Sequence, residues 1–99
     1  MTSDDAASMT LRATAVICNE RGLHARASAK FVKLAEGFDA EIEVTRDGTT
    51  VNGTSIMGLM ALGAGPGCEI EIAVRGNQAD EALAAILRLI ERGFDEEKA

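Results

Sequence analysis

The chain is poor in the residues on which most reactive chemistry depends. Its 99 residues include one histidine, two cysteines, no tryptophan and no tyrosine. No cysteine–histidine or acidic cluster stands at metal-ligand spacing. Metal binding, a resident cofactor and autonomous catalysis are therefore not expected. Basic residues are also scarce, with 10 Lys and Arg against 16 Asp and Glu, a formal net charge of -6. A surface that tracks a phosphate backbone needs the opposite balance, so nucleic acid is not expected as a partner. No apolar run reaches the roughly 20 residues that span a bilayer, and the opening MTSDDAASM has neither a cationic nor an apolar targeting region. A cytoplasmic protein with no membrane partner is the expectation. In that compartment Cys18 and Cys68 stay reduced, as small buried or half-buried hydrophobes.

What is present fits one α+β domain, since 46% apolar and 26% charged residues suffice for a single core. Residues 1–9 are small, polar and acidic and read as a flexible tail, 10–94 as the domain, and 95–99 as an acidic tail. From Thr10 to Cys18 the set Leu11, Ala13, Ala15 and Ile17 alternates with Arg12, Thr14 and Val16, a strand with one buried face. A helix follows over 25–36, stopped by Gly37. Glu41 to Thr45 alternates strictly, and Asp47-Gly48 turns it into a second strand through Val51, a hairpin. Ser55 to Leu62 forms a short helix capped by Thr54 or Ser55. After the breakers Gly63, Gly65, Pro66 and Gly67, the stretch Cys68–Arg75 points Ile70, Ile72 and Val74 one way. A last helix carries Ala79, Ala82, Leu83, Ile86, Leu87 and Ile90 on one stripe, with Asn77 as cap and Gly93 past its end. The order β-α-β-β-α-β-α predicts an open-faced sandwich: a four-stranded antiparallel sheet with three helices on one side.

The lone histidine lies in Gly22-Leu23-His24-Ala25-Arg26-Ala27-Ser28. The breakers Asn19, Glu20, Arg21 and Gly22 precede it, and Ala25, Ala29, Val32 and Ala35 recur after it at helical spacing. His24 thus stands at a helix start, where unpaired N–H groups and the positive end of the helix dipole suit an anion. Taken alone, the same pattern fits a plain helix cap, and Arg26 a solvated charge.

A second motif narrows the choice. Gly22-Leu23-His24-Ala25-Arg26, followed thirty-one residues after the histidine by Ser55-Ile56-Met57-Gly58-Leu59-Met60, resembles HPr, the histidine-containing phosphocarrier family of the bacterial phosphotransferase system. The likeness covers Leu11 to Phe94. It implies a phosphoryl carrier rather than an autonomous enzyme: His24 would be phosphorylated on Nδ1 by enzyme I, with phosphoenolpyruvate as ultimate donor, and would pass the group to a histidine of an enzyme IIA domain. The backbone N–H groups of Ala25 and Arg26 would hold the phosphoryl oxygens, and the Arg26 guanidinium would neutralise charge in transfer. Ser55 matches the position that an ATP-dependent HPr kinase/phosphorylase modifies in many members, although a serine there is also a routine cap. The resemblance further implies that Ile56, Met57 and Met60 form the docking patch, while Leu59 and Leu62 enter the core. A monomer is expected.

One residue departs from the family pattern: Ala27 stands where proline is commonest, which keeps the helix start and adds an N–H. Two branches stay open. Asn19 to Gly22 and Gly93 to Glu96 look like the nitrogen-related branch, in which the relay regulates; Ser55 to Met60 looks like the sugar system. The rival from another class is a non-catalytic interaction module on the same fold, with His24 only a cap.

Overall fold

A computed structural model describes residues 9–99. The flexible-tail expectation for residues 1–9 therefore lies, apart from Met9, outside the described residues. The elements are β1 (Thr10–Val16), α1 (Ala25–Ala35), β2 (Glu41–Arg46), β3 (Thr49–Asn52), α2 (Ile56–Ala61), β4 (Glu69–Arg75) and α3 (Ala79–Glu91), followed by a 3-10 turn, Gly93–Asp95. The strands lie in the order β1-β4-β2-β3, every neighbouring pair antiparallel. This is the open sandwich that the alternation predicts. The tight link between β2 and β3 follows from Asp47 and Gly48, whose φ angles of 49° and 81° supply the left-handed pair a two-residue hairpin turn requires.

Period two decides which face is wet. On β4, Ile70, Ile72 and Val74 are buried, and their ladder partners Ala15, Ala13 and Leu11 on β1 are half-buried. Ile42 and Val44 extend this inner face through β2. The helices cover it with Phe31, Leu59, Ile86, Leu89 and Ile90, each about 1.5–3 kcal/mol of transfer free energy.

Three details differ from the sequence reading and one open choice is resolved, each for a local reason. β1 ends at Val16, because the next residue leaves the ladder: Ile17 is fully buried and exchanges bonds with the loop, its N–H to Cys68 O at 2.9 Å and its carbonyl from Gly67 N at 2.8 Å. The inner face of α1 is Ala27, Ser28, Phe31, Val32 and Ala35, whereas Ala25 and Ala29 are exposed. The helix phase follows Phe31, and Ser28 is tolerated inside because its hydroxyl donates to Leu23 O at 3.1 Å. α3 is not capped by Asn77, whose amide reaches Asp39 instead; Gln78 holds the cap position without a side-chain capping bond, its Oε1 accepting from Asp39 N at 2.8 Å, and Leu89 joins the stripe while Leu87 is half-buried. At α2 the choice between two caps goes to Ser55, whose Oγ accepts from Gly58 N at 2.9 Å, while Thr54 bonds Asn52.

Residues 95–99, set apart by their acidity, fold back onto the loop before α1. Glu20 N donates to Glu97 O at 3.0 Å, and Ala99 N donates to Cys18 O at 2.8 Å.

Candidate functional site

The site begins with the loop that delivers His24. Gly22 has φ +63°, and its Cα presses on the 63–67 segment so closely that a Cβ would lie 2.2 Å from Ala64 O. The next amide, Leu23 N, donates to that same Ala64 O at 2.9 Å. Leu23 is buried, and the chain then turns into α1 with His24 as cap residue, φ -74° and ψ -177°. The helix starts here because an extended cap residue with a side-chain acceptor takes up a free N–H of the first turn.

The histidine ring is held at both nitrogens. Nδ1 accepts from Arg26 N at 3.3 Å, and Nε2 lies 2.7 Å from Glu96 Oε2 and 2.9 Å from Oε1. A nitrogen facing an N–H must offer its lone pair, and one facing a carboxylate must offer a proton, so the neutral ring fits as the Nε2–H tautomer. Nδ1 then carries the ring's lone pair. Both side chains are mostly covered, with 17% of His24 and 16% of Glu96 exposed.

Around this pair the parts fall into place. Ser28 N returns to His24 O as the first helical bond, leaving the N–H groups of Ala25, Arg26 and Ala27 in the opening turn. Ala27 is fully buried within an unbroken α1, so the residue that departs from the family pattern leaves the helix start in place. The Arg26 side chain is exposed and, among the described residues, enters no ion pair. An exposed guanidinium two residues from His24 is able to pair with an anion.

α2 packs beside α1 and is joined to it through the Leu23–Ala64 bond. Leu59 and Leu62 enter the core, whereas Ile56, Met57 and Met60 remain 40%, 81% and 43% exposed. A six-residue helix cannot bury every apolar side chain it carries. Ser55 is half-buried, with Oγ engaged at its own helix start and no hydrogen bond to His24. Cys18 and Cys68 are both free thiols, half-buried as expected; Cys68 Sγ accepts from Arg46 Nη2 at 3.3 Å.

Three contributors escaped the sequence reading. Glu96 touches the ring from 72 residues away. Asn19, fully buried, donates through Nδ2 to Gly22 O at 2.9 Å and to Glu96 Oε1 at 3.1 Å. Lys30 donates to Phe94 O at 2.6 Å. The one available signal was Phe94 itself, an aromatic residue among acidic ones that had to go inside. Among the described residues no group of His, Cys, Asp or Glu is arranged to hold a metal ion, and no helix is long and apolar enough to cross a membrane.

Glu96 carries a testable pH dependence. Burial works to raise its carboxyl, but hydrogen bonds from His24 and Asn19, aided by the charges of His24 and Lys30, hold it below its ordinary value of 4.5. A carboxylate lowered in the folded state contributes stability above its ordinary value and loses it as pH falls through the lowered one. On acidification the Glu20 and Ala99 amides should therefore lose hydrogen-exchange protection before the β4 amides do. Simultaneous loss of both sets would show that the Glu96 contact is not what holds the segment.

Comparisons with known proteins bear on the family and the fold. Residues 11–92 match the family PTS-HPr, described as the PTS HPr component phosphorylation site. The phosphocarrier protein NPr of Escherichia coli strain K12 is 41% identical over 90 residues, covering 90% of this chain and 100% of its own length. The phosphocarrier protein HPr of Treponema pallidum is 45% identical over 84 residues, 85% of this chain and 96% of that protein. Among solved structures, HPr of Thermoanaerobacter tengcongensis superposes with a TM-score of 0.84 at 41% identity, over 88% of this chain and 98% of the other. HPr of Bacillus anthracis gives 0.80 at 38% identity, over 84% and 99%.

Proposed function

The chain belongs to the PTS-HPr family, phosphocarrier proteins of the phosphotransferase system, and from that premise we propose that His24 is the residue that carries the phosphoryl group. Nδ1 attacks the phosphorus of a phosphohistidine on enzyme I. The new N–P bond forms as the donor's N–P bond breaks, and the electron pair returns to the donor ring. Arg26 meets the charge on the phosphoryl oxygens, and the Ala25 and Arg26 N–H groups receive them at the start of α1, the Arg26 N–H passing from Nδ1 to a phosphoryl oxygen as the lone pair is used. Hand-over to an enzyme IIA histidine runs the same exchange in reverse.

The observation that supports this reading is the ring's orientation, with Nδ1 turned to the helix start and Nε2 to a carboxylate. A carrier needs only moderate stabilisation of its loaded form, since tight binding would block release. One exposed guanidinium and the N–H groups of a first turn match that need. Incubation with enzyme I, phosphoenolpyruvate and magnesium should place one acid-labile phosphate on the chain; no labelling would end the proposal.

Ile56, Met57 and Met60 are the surface we assign to docking with enzyme I and enzyme IIA, because methionine adapts to unlike partners. Ser55, at the start of the same helix, is then the regulatory position for an HPr-type kinase. A phosphate there can replace Oγ as helix cap while adding about two negative charges beside the docking patch. ATP and the kinase should label the chain but not its Ser55→Ala variant, and labelling should slow phosphoryl transfer to His24 by about tenfold or more. Unchanged transfer at full Ser55 occupancy would refute the coupling. We assign the carrier domain to residues 10–94, completed at the site by Glu96 from the acidic tail that packs on it, and read the chain as a cytoplasmic monomer.

A further inference from the structure

The contact between Glu96 and His24 is built, not incidental. Gly93, Phe94 and Asp95 have φ angles of 65°, 57° and 61°, a run of left-handed backbone that L side chains rarely adopt. It reverses the chain at the end of α3. The reversal is pinned by Phe94, fully buried, by Lys30 on its carbonyl, and by the Arg92–Asp95 pair at 2.9 Å. The buried Asn19 amide then fixes one oxygen of Glu96, and Glu97 and Ala99 bond the same loop. Every one of these contacts aims a carboxylate at Nε2, the nitrogen that the phosphoryl group does not use.

We propose that Glu96 is a positioning residue that keeps the His24 proton on Nε2 throughout the phosphoryl cycle. This rests on the carrier reading of His24. With Nε2 protonated, the Nδ1 lone pair forms the N–P bond and no proton leaves, so the loaded ring is a phosphoimidazolium cation beside the Glu96 anion. When the N–P bond breaks on hand-over, its electron pair returns to Nδ1 and the neutral Nε2–H ring is restored. A ring that kept its phosphate but lost the proton would have to leave as an imidazolide anion, a far poorer leaving group. The arrangement follows the logic of a carboxylate that orients a catalytic imidazole and stabilises its cation.

The other charged residues on the segments that meet at the ring are Arg26 and Lys30 on α1, Glu20 and Arg21 in the approach loop, and Arg92, Asp95, Glu97 and Lys98 beyond α3; α2 and residues 62–67 carry none. None of these side chains is hydrogen-bonded to the ring; among the described residues Glu96 is the charged side chain that is.

The test compares 15N-labelled wild type with Glu96→Gln, which can still accept from Nε2–H but carries no charge, and with Glu96→Asp. In unphosphorylated wild type at pH 8 the imidazole nitrogens should report a protonated Nε2 and a bare Nδ1. After phosphorylation by enzyme I and phosphoenolpyruvate, the midpoint for loss of the Nε2 proton should lie about one pH unit lower in Glu96→Gln, a tenfold drop in the protonation constant, with Glu96→Asp between. Transfer to enzyme IIA should fall by a similar factor in Glu96→Gln above that midpoint and match wild type at lower pH, where both rings are protonated. A purely structural role would lower transfer at every pH. Equal midpoints, or a resting ring protonated on Nδ1, would overturn the proposal. Absence of phosphate on His24 overturns the carrier reading instead, and is told apart because the resting tautomer is read without any partner.

Discussion

Alanine in place of His24 should leave no acid-labile phosphate on the chain after exposure to enzyme I and phosphoenolpyruvate, with labelling below about one thousandth of wild type. The chain has no second imidazole to take over. The substitution should spare the fold, because the ring is a cap residue at the surface of the core and alanine removes only a cap bond of 3.3 Å and the Glu96 contact. A folded chain that takes no phosphate, checked by the unchanged dispersion of its β4 amides, separates chemistry from folding. Arg26→Ala provides the graded comparison: the nucleophile remains, so labelling should still reach completion, at a rate reduced by about 10- to 100-fold for loss of one charge-assisted donor. Labelling of His24→Ala at the wild-type rate would require another acceptor and remove His24 from the mechanism.

The second large effect concerns a residue with no side chain. Gly22→Ala should lower stability by about 3 kcal/mol or more, which for a domain of this size is a fall in Tm of about 12 °C or more. Two costs combine. The left-handed φ of +63° disfavours any Cβ, and this Cβ would stand 2.2 Å from Ala64 O and 2.8 Å from Gly65 Cα, both backbone. Relief requires moving the 63–67 segment, which carries the acceptor for Leu23 N and adjoins α2. Gly48→Ala is the control, because φ there is +81° but nothing lies within 4 Å of the added carbon. It should show only the conformational cost, about 1 kcal/mol. Thermal melts of the two variants that coincide would show that the close approach at Ala64 relaxes freely. If Gly22→Ala behaves as expected, phosphoryl acceptance should fall with it, since the same segment sets where His24 and α2 stand.

Much of this architecture is legible in the order of residues because it is local. The alternation in Glu69–Arg75 tells which side of β4 is dry, Asp47-Gly48 tells where the hairpin closes, and the exposed Ile56, Met57 and Met60 follow from a helix too short to hide them. The histidine's place at the start of α1 follows from the breakers before it. What periodicity cannot convey is contact between distant segments. Glu96 reads as one more acidic residue near the end, and its role comes from a reversal at Phe94 and Asp95 that no propensity favours. Asn19 reads as a loop residue, yet it is fully buried because two acceptors converge on its amide. Asn77 was the obvious cap by type, but the nearby Asp39 carboxylate competes for it. In each case a tertiary partner outweighed a local preference.

The pairing of β1 with β4 also bears on how the molecule is made. Thr10 finds its ladder partner at Arg75, and His24 finds its carboxylate at Glu96. A chain emerging residue by residue can close the β2–β3 hairpin early, but its first strand has nowhere to lie until β4 has appeared. Synthesis thus runs ahead of function: the histidine is made 72 residues before the carboxylate that completes its working surroundings.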